Sequence, residues 1–333
     1  MTWTVRHAQP TDMVDIIRLC RQREGHLHEG HGLTIPQRIE IRARLYHAAT
    51  DRLGTVAETP VLLAERDGRV GGYMALVLGQ KESITDEQQV TIFDFSAPGA
   101  DGPEVLAALL RVADAMAQER GEQYFVVNIP PHATTEEAWF QQAGFSPDLV
   151  RIDRPVSTDP PPGMREDGYR TRPSDPTDLL FILYLNTLAA PFTIPPNRTR
   201  DEHFVGQRYL QIYSEMDYRP SNPKFKVLIA EKIKPVISAG FIMLQLGWRD
   251  EMTLEPVGYL YDIAVHPDHM GQHLALLLVH EGQKLLSTLG TRWLIADISA
   301  TNPRPLKLAL SYLGFSVMYR RWARAVPAVK PRS

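Results

Sequence analysis

The sequence predicts an α/β (α+β) fold built as two tandem domains of one plan, each a mixed central sheet flanked by helices. Three observations lead there. Val61-Leu62-Leu63-Ala64-Glu65 recurs as Val227-Leu228-Ile229-Ala230-Glu231, 166 positions later. Val5 to Asp12 resembles Tyr169 to Asp175, and Ala143-Gly144-Phe145-Ser146 matches Leu313-Gly314-Phe315-Ser316 at a spacing of 170. Matches that keep their order and nearly one spacing, half the 333-residue chain, indicate duplication rather than chance likeness of short apolar strings.

Each half then reads through the same elements. A short strand (residues 4–7; 169–172) leads through Pro and Asp, residues that start helices, into a helix with apolar periodicity. After a polar segment comes a hairpin, 61–65 with 70–77 about Asp67-Gly68, and 227–231 with 236–246 about Lys234-Pro235. A further strand (90–95; 257–265) runs into a long helix (104–118; 272–286), and another strand (124–128; 293–297) precedes a short helix ending at Gly-Phe. A last strand is expected to close each domain. Between the halves, Asp153 to Gly163 contains three consecutive prolines, which favour an extended, semi-rigid linker. The domains are therefore expected at 1–155 and 168–333, with a linker at 156–167.

Composition narrows the function classes. Lys and Arg number 36 against 39 Asp and Glu, a net charge of −3 with no basic block, so no nucleic-acid partner is expected. The longest aliphatic run, Leu274 to Val279, is far shorter than the roughly 20 residues that span a bilayer, so no membrane partner is expected either. The start shows no basic residues followed by an apolar core, and a single cysteine, Cys20, rules out an internal disulfide or a multi-cysteine zinc site. A cytoplasmic protein is expected, as a monomer or homodimer.

The chemistry is expected in the second half. Tyr259 to Val265 reads as a strand, followed by His266-Pro267-Asp268-His269-Met270-Gly271-Gln272-His273-Leu274-Ala275 and a helix. Pro267 cannot continue the ladder and Gly271 permits a tight turn. A strand, a glycine-bearing loop and a helix N-terminus make an anion site, because unpaired amides and the positive end of the helix dipole meet there. An ordinary strand-to-helix turn would read the same way.

This stretch resembles motif A of the GNAT N-acetyltransferase superfamily, Val-x-Pro followed by Arg/Gln-x-x-Gly-x-Gly/Ala. Val265, Pro267, Gly271, Leu274 and Ala275 match, whereas Met270 stands where Arg or Gln is usual and His273 where the second Gly is usual. Asn302 and Leu313-Gly314-Phe315 are similar to motif B. The resemblance implies acetyl-CoA as cosubstrate, with no metal. Its pyrophosphate would lie on the amides of Met270, Gly271, Gln272, His273, Leu274 and Ala275, its pantetheine along Ile263, Ala264 and Val265, and Asn302 would join the cofactor site. The acceptor would be a primary amine on a small molecule or peptide, with specificity set by segments 189–223 and 246–255. The corresponding stretch of the first half, Phe95 to Glu104, puts Asp101 and Glu104 at the helix start, where carboxylates repel a pyrophosphate. The first copy is expected to be degenerate.

Amine acetylation needs a base for the amine and an acid for the departing thiolate. Asp262, three residues before Val265, is the base candidate; a carboxylate that merely fixes backbone or pairs with an arginine is the competing reading. Glu231 is weaker, since Glu65 repeats it in the first copy. Family members often carry Tyr four residues before the Gly of Gly-Phe; here that position is Leu310, and Tyr312 lies about 200° further around a helix. The clusters His26, His28, His31 and His266, His269, His273 match no compact zinc pattern. Trp139, Trp248, Trp293 and Trp322 are expected in the cores. An enzyme is the first expectation. The alternative is a non-catalytic acyl-CoA-binding sensor on the same scaffold, toward which Met270, His273 and Leu310 point.

Overall fold

A computed structural model describes residues 2–23, 59–82, 84–164, 168–196, 198–199, 201–249 and 255–328. The chain forms two compact units, Met1–Asp148 with Tyr319–Ser333, and Leu149–Met318. The His26, His28 and His31 cluster lies outside the described residues.

The first unit runs β1 (Thr4–His7), α1 (Met13–Arg23), β2 (Val61–Arg66), β3 (Arg69–Lys81), β4 (Gln88–Ser96), α2 (Gly102–Arg120), β5 (Tyr124–Ile129) and α3 (Thr134–Gln142). Strands β1 to β5 pair in chain order, antiparallel except for the parallel pair β4–β5. Its core collects Leu62, Met74, Leu76, Ile92 and Phe95 from the sheet with Val105, Leu109, Ala113 and Ala117 from one face of α2. That helix ends at Gly121, whose φ of 71° is open to glycine without strain. Phe140 packs edge-on against Phe95 and Phe145, with centroids 4.9 and 5.0 Å apart.

The second unit repeats the plan. After β6 (Ser146–Pro155) come β7 (Tyr169–Pro173), α4 (Leu179–Thr193), α5 (Glu202–Ser214), β8 (Phe225–Lys232), β9 (Ile237–Arg249), β10 (Pro256–Val265), α6 (Leu274–Thr288), β11 (Trp293–Ser299), α7 (Pro303–Ser311) and β12 (Ser316–Ala325). Strands β7 to β11 pair in chain order and only β10–β11 is parallel. The core joins Ile242, Leu244, Leu294 and Ala296 to Leu274, Leu277, Leu278 and Leu286 of α6.

The duplication reaches single ion pairs. Arg6 donates two bonds to Asp12 (2.7 and 2.8 Å) and one to Glu65 (3.0 Å); Arg172 does the same to Asp178 (2.7 Å twice) and Glu231 (2.6 Å). All three residues recur at a spacing of 166. This corrects the repeat read from sequence, which set Asp12 beside Asp175; its counterpart is Asp178, three residues on.

The last strands differ from expectation. Instead of closing the half that precedes it, Leu149–Pro155 of β6 pairs antiparallel with β11 of the second unit. Arg320–Ala325 of β12 pairs antiparallel with β5 of the first. Side chains hold both assignments. Arg151 makes a two-pronged pair with Asp297 at 2.7 and 2.6 Å, and Arg324 pairs with Asp114. Trp322 is buried in the first core, while Val150 and Ile152 enter the second. The units are thus not the contiguous halves 1–155 and 168–333. The proline-rich stretch also belongs to the second unit, where Val156 donates to Arg292 and Ser157 to Gln283 on α6.

Candidate active site

Strand β10 carries an extra residue. Tyr259 and Leu260 face Gln245 and Leu244 of β9, but the next pair is Asp262 with Met243, so Tyr261 is bulged. The bulge shifts the alternation of side chains. Leu260 before it and Ile263 and Val265 after it pack on the α6 side, which sends Asp262 and Ala264 to the opposite face. The parallel ladder to β11 ends at the same place, Leu260 with Ala296. Beyond it β11 stays paired with β6 through Ser299, so β10 and β11 part and residues 261–265 keep a ladder on one side only.

The open strand runs into the glycine loop. Pro267–His269 forms one 3-10 turn, Gly271 has φ +79°, and His273 has φ +59°. The left-handed value at His273 explains why Gly is usual there: a side chain in that region is disfavoured by about 1–2 kcal/mol. No acceptor within the described residues takes the amides of residues 271–275. They stand at the N-terminus of a 15-residue helix with no acidic residue in its first turn. The loop therefore offers an unpaired, positively polarised set of donors. Met270 and Gln272 are exposed, Leu274 is buried and Ala275 half-buried.

Asp262 lies on the other face of the strand, half-buried. Its Oδ2 accepts from the buried Tyr213 hydroxyl of α5 at 2.5 Å and its Oδ1 from the Ile263 amide at 2.7 Å. Burial pushes the carboxyl up to about 6, against these two bonds, which favour the charged form. Burial and the neighbouring carboxylate hold the Tyr213 proton on well above the usual range. Tyr209, Tyr261, Phe225, Tyr259 and Trp248 continue the aromatic surroundings, Trp248 stacking on Tyr259 at 4.8 Å. Sequence reading passed over Tyr213, although Asp201 followed by Val205, Tyr209 and Tyr213 at intervals of four marks a capped amphipathic helix. Glu231 is committed elsewhere: burial pushes it up, but Arg172 and Arg170 outweigh that and hold it below the usual range.

Residues 199–315 match the family model for the acetyltransferase (GNAT) family. This segment belongs to the GNAT family. A GCN5-related N-acetyltransferase from Sphaerobacter thermophilus has a similar fold over 99% of this chain and 98% of its own, with 18% identity and a TM-score of 0.55. A GCN5-related glucosamine N-acetyltransferase region of a fungal multi-domain GH3 β-N-acetylglucosaminidase covers 97% of this chain and 38% of its own, at 13% and 0.53. No curated protein sequence matches. The chain thus has a GNAT-type fold along nearly its whole length, and the family matched by residues 199–315 supports acyl-CoA N-acyltransferase activity in general terms.

The first unit repeats the bulge but not the loop. Leu76 faces Ile92 and Ala75 faces Asp94, so Phe93 is bulged and Asp94 stands where Asp262 does. Asp94 likewise accepts from a buried tyrosine, Tyr73 on β3 at 2.8 Å, and from the next amide, Phe95. Gly99, three residues before α2 as Gly271 is before α6, is left-handed too (φ +89°), but Gly102 opens α2 directly under Trp139. Trp139 lies so close that a β-carbon on Gly102 would sit 2.3 Å from its ring. Asp101 precedes the helix and pairs with Arg66. What is an open loop in the GNAT segment is here a helix start covered by Trp139.

The remaining expected residues fall around the GNAT loop and α7. Asn302 precedes α7 as its cap residue, without a side-chain capping bond, just beyond β11. Leu310 and Tyr312 are both exposed. His269 accepts or donates a 3.0 Å bond with Tyr169, and burial, with His266 and Lys232 nearby, keeps it below its usual pKa. Among the described residues no group of His, Cys, Asp or Glu is arranged to hold a metal ion. No described helix is long and apolar enough to cross a membrane.

Proposed function

We propose that the second unit is an acetyl-CoA-dependent N-acetyltransferase that acetylates a primary amine by direct attack within a ternary complex. The observation that carries this reading is the parting of β10 from β11 immediately before a loop of unpaired amides. The residues fit the cosubstrate: amides of 271–275 suit a pyrophosphate, and the one-sided stretch Ile263, Ala264 and Val265 suits an extended arm with amide groups. Met270 flanks the phosphate loop and Asn302 the far side of the opening. Acetyl-CoA supplies an activated acyl group and a thiolate leaving group.

Asp262 is the base in this reading. A carboxyl lifted to about 6 is ionised at neutral pH yet a better proton acceptor than an ordinary aspartate. Tyr213 fixes its orientation. Asp94 repeats that arrangement in a unit lacking the open loop, so the bulge itself selects an aspartate and the catalytic role depends on the neighbouring acyl-CoA site. Leu310, where an acid is usual, favours the second reading, an acyl-CoA sensor without turnover. Thiol release from acetyl-CoA with a panel of primary amines separates the two. Millimolar acetyl-CoA should raise the melting temperature, and Gly271→Asp should abolish that rise by placing a charge against the pyrophosphate. An unmoved wild-type melting curve would reject both readings.

A further inference from the structure

The rings around Asp262 form one connected set. Tyr213, from whose hydroxyl Asp262 accepts, meets Tyr261 with ring centroids 6.2 Å apart. Tyr261 in turn meets Phe225 of β8 edge-on at 5.6 Å and Tyr259 at 6.3 Å, and Tyr259 stacks on Trp248 of β9. Tyr213 is buried, whereas Phe225, Trp248, Tyr259 and Tyr261 are all half-buried. The duplication shows that the fold does not require most of these rings. Val257 faces Trp248 and Tyr259 faces Gln245 across a bulge; in the first unit Gln89 faces Gln80 and Thr91 faces Val77 across the same bulge, each 168 positions earlier. There Thr91 donates a hydrogen bond to Gln80 in place of the stack. Phe225, two residues before Val227, likewise matches Thr59, two before Val61. Of the four half-buried rings only the bulged one recurs, as Phe93.

The chemistry of this surface suits a cation with an aromatic body. Asp262 takes two hydrogen bonds and no ion pair among the described residues, so an ammonium would supply its missing counter-charge. Aromatic faces attract a cation as well, and the rings beyond offer area for stacking. The polar groups beside them are spent on one another. The Tyr259 hydroxyl donates to Asp297 at 3.2 Å, and both prongs of Arg151, which lies over Trp248, are on the same carboxylate. A skeleton rich in hydroxyls would find these groups taken, and a carboxylate next to the amine would be repelled by Asp262. Resting on the acyl-CoA reading above, we propose that the acceptor is an arylalkylamine, with its ammonium at Asp262 and its ring packed among Phe225, Trp248, Tyr259 and Tyr261.

Titration calorimetry on the full chain saturated with CoA, which carries no acyl group to transfer, reads acceptor binding alone. Phenethylamine should bind about 10–100-fold more tightly than ethylamine or galactosamine, the gain expected from burying one phenyl ring. The double variant Trp248→Gln, Tyr259→Thr carries the side chains that the first unit folds with at these positions. It should cut that preference to about threefold or less, with CoA affinity unchanged. Should the double variant fail to fold, Trp248→Gln alone should lower the preference in the same direction. No phenethylamine binding, ethylamine or galactosamine bound as tightly, or a preference that survives the variants would each overturn the proposal. Thiol release from acetyl-CoA is read separately. Phenethylamine bound preferentially but never acetylated would uphold the amine site and reject the transferase reading, whereas a chain that binds no CoA would reject the acyl-CoA reading and this proposal together.

Discussion

Replacing Asp262 with asparagine removes a carboxyl whose proton affinity the fold has raised, so it should change how stability varies with pH. The unfolded chain titrates this group near the usual 3.8 and the folded protein near 6. Between those values the native state holds the extra proton, so Asp262 contributes stability that is fully present below about pH 3.8 and is lost as pH rises through 6. At about 1.4 kcal/mol per pH unit the full loss is roughly 3 kcal/mol; the half-buried carboxyl keeps some water, which brings the expectation to about 1–3 kcal/mol. Asparagine keeps an acceptor for the Tyr213 hydroxyl and carries no charge. Urea denaturation of both proteins at pH 4, 5, 6, 7 and 8 measures the difference. The variant should gain on wild type by this amount between pH 4 and 7, with no further gain above. Parallel curves, or a variant that loses ground as pH rises, would show that the fold does not penalise the Asp262 charge and would remove the basis for calling it a tuned base.

Turnover should show the matching trade. Asp262→Asn should slow acetyl transfer by about 10²–10⁴-fold with acetyl-CoA affinity intact, while Tyr312→Phe, on an exposed residue beyond α7, should be nearly silent in the same assay. His273→Gly should keep acetyl-CoA binding by thermal shift and change stability by no more than about 1 kcal/mol, because relief of the left-handed strain offsets the added freedom of glycine. Trp322→Ala should destabilise the first unit by about 3–5 kcal/mol in hydrogen exchange, leaving amides of β9 and β10 protected. By the same pairing, a chain cut after residue 155 should give no cooperative melting transition, since it lacks the strand that covers β5.

Most strands and helices were legible because their signals are local. The apolar runs Val61–Ala64 and Val227–Ala230, glycine after α2, and Pro-Thr-Asp before α1 and α4 act within a few residues. What escaped depends on partners far away in sequence. The strands Ser146–Pro155 and Ser316–Ala325 also read as strands locally, but a local pattern identifies a strand without saying which edge it covers. That choice rests on pairs such as Arg151 with Asp297 and Arg324 with Asp114, separated by 146 and 210 positions. Tandem duplication makes the exchange possible at little energetic difference, since each final strand meets an edge shaped like the one its own half provides.

The same duplication separates what belongs to the fold from what belongs to the chemistry. Asp262 was readable as a base candidate from the motif beside it, but Asp94 shows that a bulged strand of this kind holds an aspartate and a buried tyrosine even where the neighbouring helix start is closed by Trp139. The Arg6 and Arg172 clusters are likewise shared and hence architectural. Two features of the second unit have no described counterpart in the first: the left-handed backbone at His273 and the run of unpaired amides at 271–275. Each is locally unfavourable, and a duplicated scaffold that folds without them in one unit has no need of them for folding in the other. Their presence together around one strand opening is the reason to expect a ligand bound there.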